Sequence, residues 1–328
     1  MPFRRTLCLA MTLAVLASAQ RALGAEMWMP ETGEVRLEDL PRESVEARRL
    51  HALALIGAGQ WSGGVEVLRL LLEAEPNAPW APEGRFAIAR GLLASGRARQ
   101  AFDEFGRLGE EFPESPYAAH VREYQRTAAR AQAVHDPDGA SALYDLLIDT
   151  TEDADVQAVL QRDKADAFFR ARRYLDAEAC YLELIMRFPR SEWSAYAWYR
   201  SADCEWQMAN WLGLGLERME SAEQQFEDFA DAYPTDARAD DALERVAEVR
   251  AARATFSWEI ARFYVDAEKK PWAAITYLER IVREFPDAPE AEWAAAELGK
   301  IRAGLKAPLR GDTKELSLPG VAAARREP

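Results

Sequence analysis

The chain has 328 residues, of which 49% are hydrophobic and 29% charged, and its formal net charge is −14 at pH 7. That apolar content supplies a folded core and excludes wholesale disorder. The acidic balance excludes a non-specific nucleic-acid binder, which needs a basic face for phosphates. Three cysteines exclude a disulfide-stapled scaffold, and three histidines (His51, His120, His135) leave little material for a His-rich metal centre.

Residues 1–24 read as an export signal. Arg4 and Arg5 form the positive region, Leu7 to Ala17 form a short apolar run, and Ala17-Ser18-Ala19 and Ala22-Leu23-Gly24 are competing cleavage sites. The run is about half of the ~20 residues that a spanning helix needs, so cleavage is expected over anchoring. Loss of residues 1–24 removes three arginines and no acid, which takes the net charge to −17. Cys8 lies at the start of the apolar run, where a lipid-attachment cysteine would stand after its end. No later run is long and apolar enough to span a bilayer. The expectation is therefore an exported protein of a Gram-negative periplasm, peripheral at the outer membrane and without a transmembrane segment after cleavage. Residues 25–44 form an N-terminal extension.

A repeat follows. Five segments end alike, at Pro76, Pro113, Pro189, Pro234 and Pro286, with intervals of 37, 76, 45 and 52 residues. The interval of 76 is twice 38, and a degenerate unit near Thr151 fills it. Within a unit the pattern is helix, short turn, helix. Counting back from Pro189, Ala165, Phe168, Ala177 and Tyr181 alternate small and large; Ala89, Leu92, Ala101 and Phe105 precede Pro113 in the same way, as Ala52, Leu55, Gly64 and Leu68 precede Pro76. Small residues allow close helix approach, large ones fill the grooves, and the proline ends the second helix because it has no N–H to donate. Turns are marked at Gly57-Ala58-Gly59, Ser95-Gly96-Arg97 and Lys269-Lys270-Pro271. Asp236 to Glu268 contains no Pro or Gly and predicts one long helix or two nearly collinear ones; residues 290–304 predict a terminal helix. The tail, 305–328, is poor in large apolar residues and predicts disorder. The fold expected for residues 45–304 is an all-α, right-handed superhelical solenoid of about six helical hairpins.

No catalytic set is present: there is no G-x-S-x-G, H-E-x-x-H or G-x-x-x-x-G-K-[ST], and Gly213-Leu214-Gly215 follows nothing strand-like. The expectation is a protein that is not an enzyme and has no cofactor, metal site or catalytic residue. Cys180 and Cys204 lie on consecutive helices, and both a disulfide and two buried thiols remain open. Trp193 to Trp211 is the richest stretch, with six aromatics in nineteen residues. On a helix, Trp198, Ala202, Trp206 and Ala209 form a stripe expected in the core. Tyr196, Arg200, Asp203 and Gln207 form a second, amphipathic stripe suited to a groove that holds extended or helical peptides. Trp193 and Tyr199 join this candidate partner-binding set, because aromatics and Arg concentrate interface energy. A basic run on the long helix (Arg245, Arg250, Arg253, Arg262) either pairs with Glu244, Glu248 and Glu259 at helical spacing or forms a docking face for an acidic partner.

The small/large/Pro constellation resembles tetratricopeptide repeats. The turns Phe188-Pro189-Arg190-Ser191-Glu192-Trp193 and Phe112-Pro113-Glu114-Ser115-Pro116-Tyr117, and the stretch Arg250–Ala294 with Glu259-Ile260-Ala261-Arg262-Phe263-Tyr264, are similar to BamD-type outer membrane protein assembly factors. That resemblance implies a scaffold that binds envelope proteins, with BamA-like domains or outer membrane protein segments as partners. Arg250, Arg253 and Arg262 would belong to the docking half. The F-P-x-S turn also resembles YbgF (CpoB)-type periplasmic adaptors, which act in envelope constriction and peptidoglycan synthesis.

Overall fold

A computed structural model describes residues 27–29, 33–35, 44–212 and 215–304. The export signal, most of the N-terminal extension and the tail therefore lie outside the described residues. Strands β1 (Met27–Met29) and β2 (Gly33–Val35) pair antiparallel with Trp28 opposite Glu34, a short pairing that the sequence does not announce.

Thirteen α-helices follow among the described residues: α1 (Val45–Gly57), α2 (Trp61–Ala74), α3 (Ala81–Ala94), α4 (Ala98–Glu111), α5 (Val121–Gln132), α6 (Pro137–Asp149), α7 (Ala154–Arg170), α8 (Tyr174–Arg187), α9 (Ser194–Leu212), α10 (Leu216–Ala232), α11 (Ala239–Arg262), α12 (Pro271–Glu284) and α13 (Ala291–Gly304). They make six consecutive hairpins and a terminal helix, as the repeat predicts. The helices fall into two compact units, α1–α6 ending at Asp153 and α7–α13 beginning at Ala154. Within each unit every helix packs on its neighbour in sequence, the pattern of an all-α helical solenoid.

The proline rule holds at all five positions. Glu75, Phe112, Phe188, Tyr233 and Phe285, each before its proline, have φ near −130° and ψ of 54–71°, outside the helical region that proline disfavours in its predecessor. Each still donates its N–H to the carbonyl four residues back, at 2.9–3.1 Å, before the helix ends. The next turn is also repeated. Ser115, Ser191 and Asp236 accept the backbone N–H two residues on, at 3.3, 3.2 and 2.9 Å.

In the first, second and fourth hairpins the first helix closes with a left-handed residue, Gly59, Gly96 or Arg172. Gly96 (φ 80°) lets Arg97 N–H reach Leu92 O at 2.9 Å while Gly96 N–H bonds Leu93 O at 3.1 Å. Arg172 (φ 60°) makes the same pair of bonds without being glycine. The small residues then let the helices close. Gly64 lies so near the first helix that a Cβ would stand 2.6 Å from both Ala52 O and Ile56 Cγ1. Ala89/Ala101, Ala128/Ala140, Ala165/Ala177, Ala209/Ala222 and Ala261/Ala274 repeat this position and are buried in every hairpin. The long helix appears as α11 and ends in a π-helical turn, Phe263–Ala267, where Glu268 N–H bonds Phe263 O at 3.0 Å.

Two glycines therefore have opposite expected responses to alanine. Gly64→Ala forces a clash and should cost about 1–3 kcal/mol. Gly299→Ala, whose Cβ meets nothing within 4 Å in the middle of α13, should gain up to about 1 kcal/mol. Urea unfolding of both variants checks this, and equal effects would contradict the packing described.

Candidate functional site

In the second unit the sequence stripe on α9 assembles as one polar network. Tyr196 Oη donates to Asp166 Oδ1 of α7 at 2.8 Å, and Tyr181 Oη of α8 donates to the same oxygen at 2.5 Å. Arg200 Nη1 donates to Asp203 Oδ2 at 2.8 Å, its Nε reaches Tyr181 Oη at 3.4 Å, and its guanidinium lies 3.5 Å over the Phe169 ring. Gln207 Nε2 donates to Asp203 Oδ1 at 3.3 Å. Arg238, just before α11, stands 5.4 Å over the Tyr196 ring and is held by Asp236 at 2.7 Å. Burial, with Asp166 beside it, pushes the Tyr196 hydroxyl up to about 12, and Tyr181 is raised for the same reasons, so both act as donors.

Trp193 and Tyr199 take other roles. Trp193 precedes α9, with the Arg162 guanidinium 3.8 Å over its ring and Tyr196 edge-on at 6.0 Å. Tyr199 is buried against Phe226 and Phe229 of α10, its hydroxyl bonded to Asp241 of α11. The other stripe is core: Ala202, Trp206 and Ala209 are buried with Phe226 and Val249, and Trp198 packs against them. Cys180 and Cys204 are buried thiols that form no disulfide, and burial pushes the Cys204 thiol well up, which leaves it inert.

The arginines of α11 pair differently from the helical spacing read in the sequence. Arg245 does bond Glu248 along the helix at 2.8 Å. Arg250 instead crosses to Glu223 and Glu227 of α10, at 2.6 and 2.7 Å. Arg253 is buried and shares Glu223, with Glu284 of α12 at 3.3 Å, so it ties three helices together. Arg262 pairs with Asp266 at 3.2 Å and lies 5.0 Å over Trp258. Arg250 and Arg253 thus share one cluster and Arg262 stands apart; Arg250 and Arg262, about half-exposed, present charge to solvent.

A second surface, in the first unit, escapes the sequence reading. The first helices of three hairpins line a cleft of ≈ 650 Å³ with Leu53 and Ile56 (α1), Phe86, Arg90 and Leu93 (α3), Tyr117 in the turn before α5, Tyr124 (α5), and Trp61 at its end. Phe86 stacks on Tyr117 at 4.7 Å and meets Tyr124 at 5.1 Å, and Tyr124 stacks on Phe105 at 5.0 Å. Glu83 is paired with Arg49. Arg90, 5.8 Å from the Phe86 ring centroid, has no carboxylate partner among the described residues. Apolar walls with few polar groups are the usual composition of a recognition cleft. The signal available in sequence was the i, i+4 pair Phe86/Arg90 on the first helix of a hairpin, echoed by Tyr124 one repeat later.

These surfaces belong to an all-α protein of consecutive helical hairpins. Residues 153–307, nearly the whole second unit, match the family model described as YfiO: Outer membrane lipoprotein. No curated protein matches the chain. Among solved structures, the chain is similar to TTC0263, a thermophilic TPR protein of Thermus thermophilus, at 16% identity and TM-score 0.28, over 63% of this chain and 98% of that one. It is similar to the STAND protein PH0952 of Pyrococcus horikoshii, which has a tetratricopeptide repeat sensor, at 14% identity and TM-score 0.36, over 81% and 42%. It is similar to the TPR2AB domain of yeast Sti1, solved in complex with pHSP90, at 14% identity and TM-score 0.28, over 63% and 86%. These likenesses are too distant to bear on function. No helix among the described residues is long and apolar enough to cross a membrane.

One ionisable pair gives a pH prediction. Glu178 of α8 faces Glu205 of α9, whose carboxylate also accepts Arg218 Nη1 at 2.8 Å. Burial, then the neighbouring Glu205 charge, holds the Glu178 proton up to about 7, against the ordinary 4.5 of the unfolded chain. The folded form binds more protons between those values, so this residue lowers stability as pH rises through that window. Glu178→Gln should be more stable than the parent at pH 8 and equal to it at pH 4. Denaturant midpoints at both values check the sign, and a parent-like variant at pH 8 would refute it.

Proposed function

We propose that the chain is an exported, non-enzymatic scaffold that binds other envelope proteins and assists outer membrane protein assembly in the manner of BamD. The observation that carries this reading is the coincidence of the YfiO match with the second compact unit, the unit that holds the α9 network and the α11 arginines. That family is described as an outer membrane lipoprotein, which supports a place in the cell envelope.

The mechanism is surface presentation. Stacked hairpins hold side chains at fixed spacing, so a partner meets a pre-organised surface and the loss of freedom on binding is small. In the second unit the partner surface comprises Tyr196, Arg200, Asp203 and Gln207, flanked by Trp193, with Tyr199 packed in the core behind it, Arg250 and Arg262 as the exposed charges of α11 and Arg253 as the buried arginine that fixes Arg250's neighbour Glu223. Its partner is a BamA-like periplasmic domain with an acidic surface. The aromatic cleft of the first unit suits an extended or helical segment of an outer membrane protein. Neither binding step calls for a cofactor or a nucleic acid.

Pull-down of the exported form with BamA soluble domains, and with Tol and peptidoglycan-synthase components in parallel, tests the reading. Retention of the BamA domains alone is expected; retention of only the second set would point to the YbgF-type role. The double change Tyr196→Ala, Arg200→Ala should weaken BamA-domain binding at least tenfold while helical circular dichroism stays at the parental level. A loss of helicity would make these residues part of the core.

A further inference from the structure

We propose that the outward face of α8 is a self-association surface, through which two copies of the chain pair antiparallel about a two-fold axis as a weak, salt-dependent dimer. The inference goes beyond the proposed function, because none of the partner-binding residues named there lies on α8.

Leu175, Ala179, Leu182 and Met186 follow one another at steps of four, three and four residues, which sets them on one stripe along α8. The stripe is exposed, Leu175 by 63%, Leu182 by 43% and Met186 by 74%, while Ala177, Cys180, Tyr181 and Leu184 on the other side are buried in the hairpin. Comparison with the other hairpins makes α8 an exception. Counted from the small residue of each second helix, Ala177 here, the same four positions are Arg99, Asp103, Gly106 and Glu110 on α4. On α10 they are Glu220, Gln224, Glu227 and Asp231. No other second helix among the described residues carries more than one apolar side chain there. Where the other hairpins meet water with polar groups, α8 carries a coiled-coil seam, and such an exposed seam marks a contact.

The stripe is complementary to itself when reversed. A copy turned about the midpoint between Ala179 and Leu182 sets its Met186 against Leu175 and its Leu182 against Ala179. Each small position at the centre then meets a large one, and the two helices close as knobs into holes. Charge follows the same symmetry. Asp176 pairs with Arg173 at 2.7 Å and Arg187 with Glu183 at 2.9 Å, all on one flank of the stripe. Reversal brings Arg187 within two residues, about 3 Å along the axis, of the second copy's Asp176, so one cross-copy ion pair forms at each end. A patch that matches itself in this way is what a two-fold dimer requires. A stripe about 16 Å long buries less than the ~1,200 Å² of a stable interface, and two chains of net charge −14 repel. Association is therefore weak, with a Kd on the order of 10–100 µM, and tightens as salt screens the repulsion.

Sedimentation equilibrium of the chain alone, with no envelope partner present, is the test. At protein concentrations up to about 0.5 mM a monomer–dimer equilibrium is expected, tightening severalfold from about 0.05 M to about 0.5 M NaCl. Leu182→Glu should weaken it about tenfold, whereas Gln224→Glu, on the matching stripe of α10, leaves it unchanged. Asp176→Arg and Arg187→Glu should each weaken self-association severalfold, because both end pairs become like-charged, with helical circular dichroism at the parental level. An equal mixture of these two variants should regain parental affinity as a heterodimer; loss in each and recovery together is the signature of reversed pairing. A monomer at every concentration and salt, a dimer that Leu182→Glu leaves intact, or a mixture no tighter than its components would overturn the proposal.

Discussion

The close approach of two helices at a pair of small residues is the constraint on which this protein depends. Twelve or thirteen residues separate the partners in each hairpin, from Ala52/Gly64 to Ala261/Ala274, and all are buried. At that distance the large neighbours Leu68, Phe105, Tyr181 and Leu278 become fully buried. The left-handed turn that closes the first helix of three hairpins and the non-helical residue before each proline are two devices that bring the chain to and from this contact. Widening it by one methyl group displaces backbone, because the nearest atom to a Cβ on Gly64 is the Ala52 carbonyl oxygen.

What that constraint leaves free is the outward side of the first helices, and there the two units differ. In the first unit it is an aromatic cleft with an open guanidinium at its edge. In the second it is a satisfied network of tyrosine hydroxyls, an arginine stacked on Phe169 and two aspartates. A network whose donors and acceptors already face each other resists rearrangement, so it serves as a fixed template. An aromatic cleft gains more by burying a partner's apolar surface. On the proposed reading the two surfaces take different kinds of ligand, one a folded domain and the other a peptide segment.

The repeat was legible because its signals are local and steric. Prolines, left-handed turns and small pairs each follow from a few neighbouring residues, and the hairpins came out where those residues place them. The division of α9 into a buried stripe through Trp206 and a polar stripe through Arg200 was legible for the same reason. Contacts between elements were not. Helical spacing suggested that the α11 arginines would pair along their own helix, yet Arg250 and Arg253 reach Glu223 on α10, because packing brings that carboxylate nearer than any on α11. Tyr199 looked like a surface aromatic within a rich stretch, but one step around the helix it turns into the core of α10. The first-unit cleft was hidden because its residues are spread over some seventy positions with no local density.

The proposal that this protein works by presenting fixed surfaces is tested most directly by hydrogen exchange of the chain with and without BamA soluble domains, read by mass spectrometry. Slowed exchange confined to α9 and α11 is expected, with the remaining helices already protected and unchanged in the free protein. Protection that spreads evenly through the helices, or that appears only once a partner folds them, would contradict a preformed scaffold.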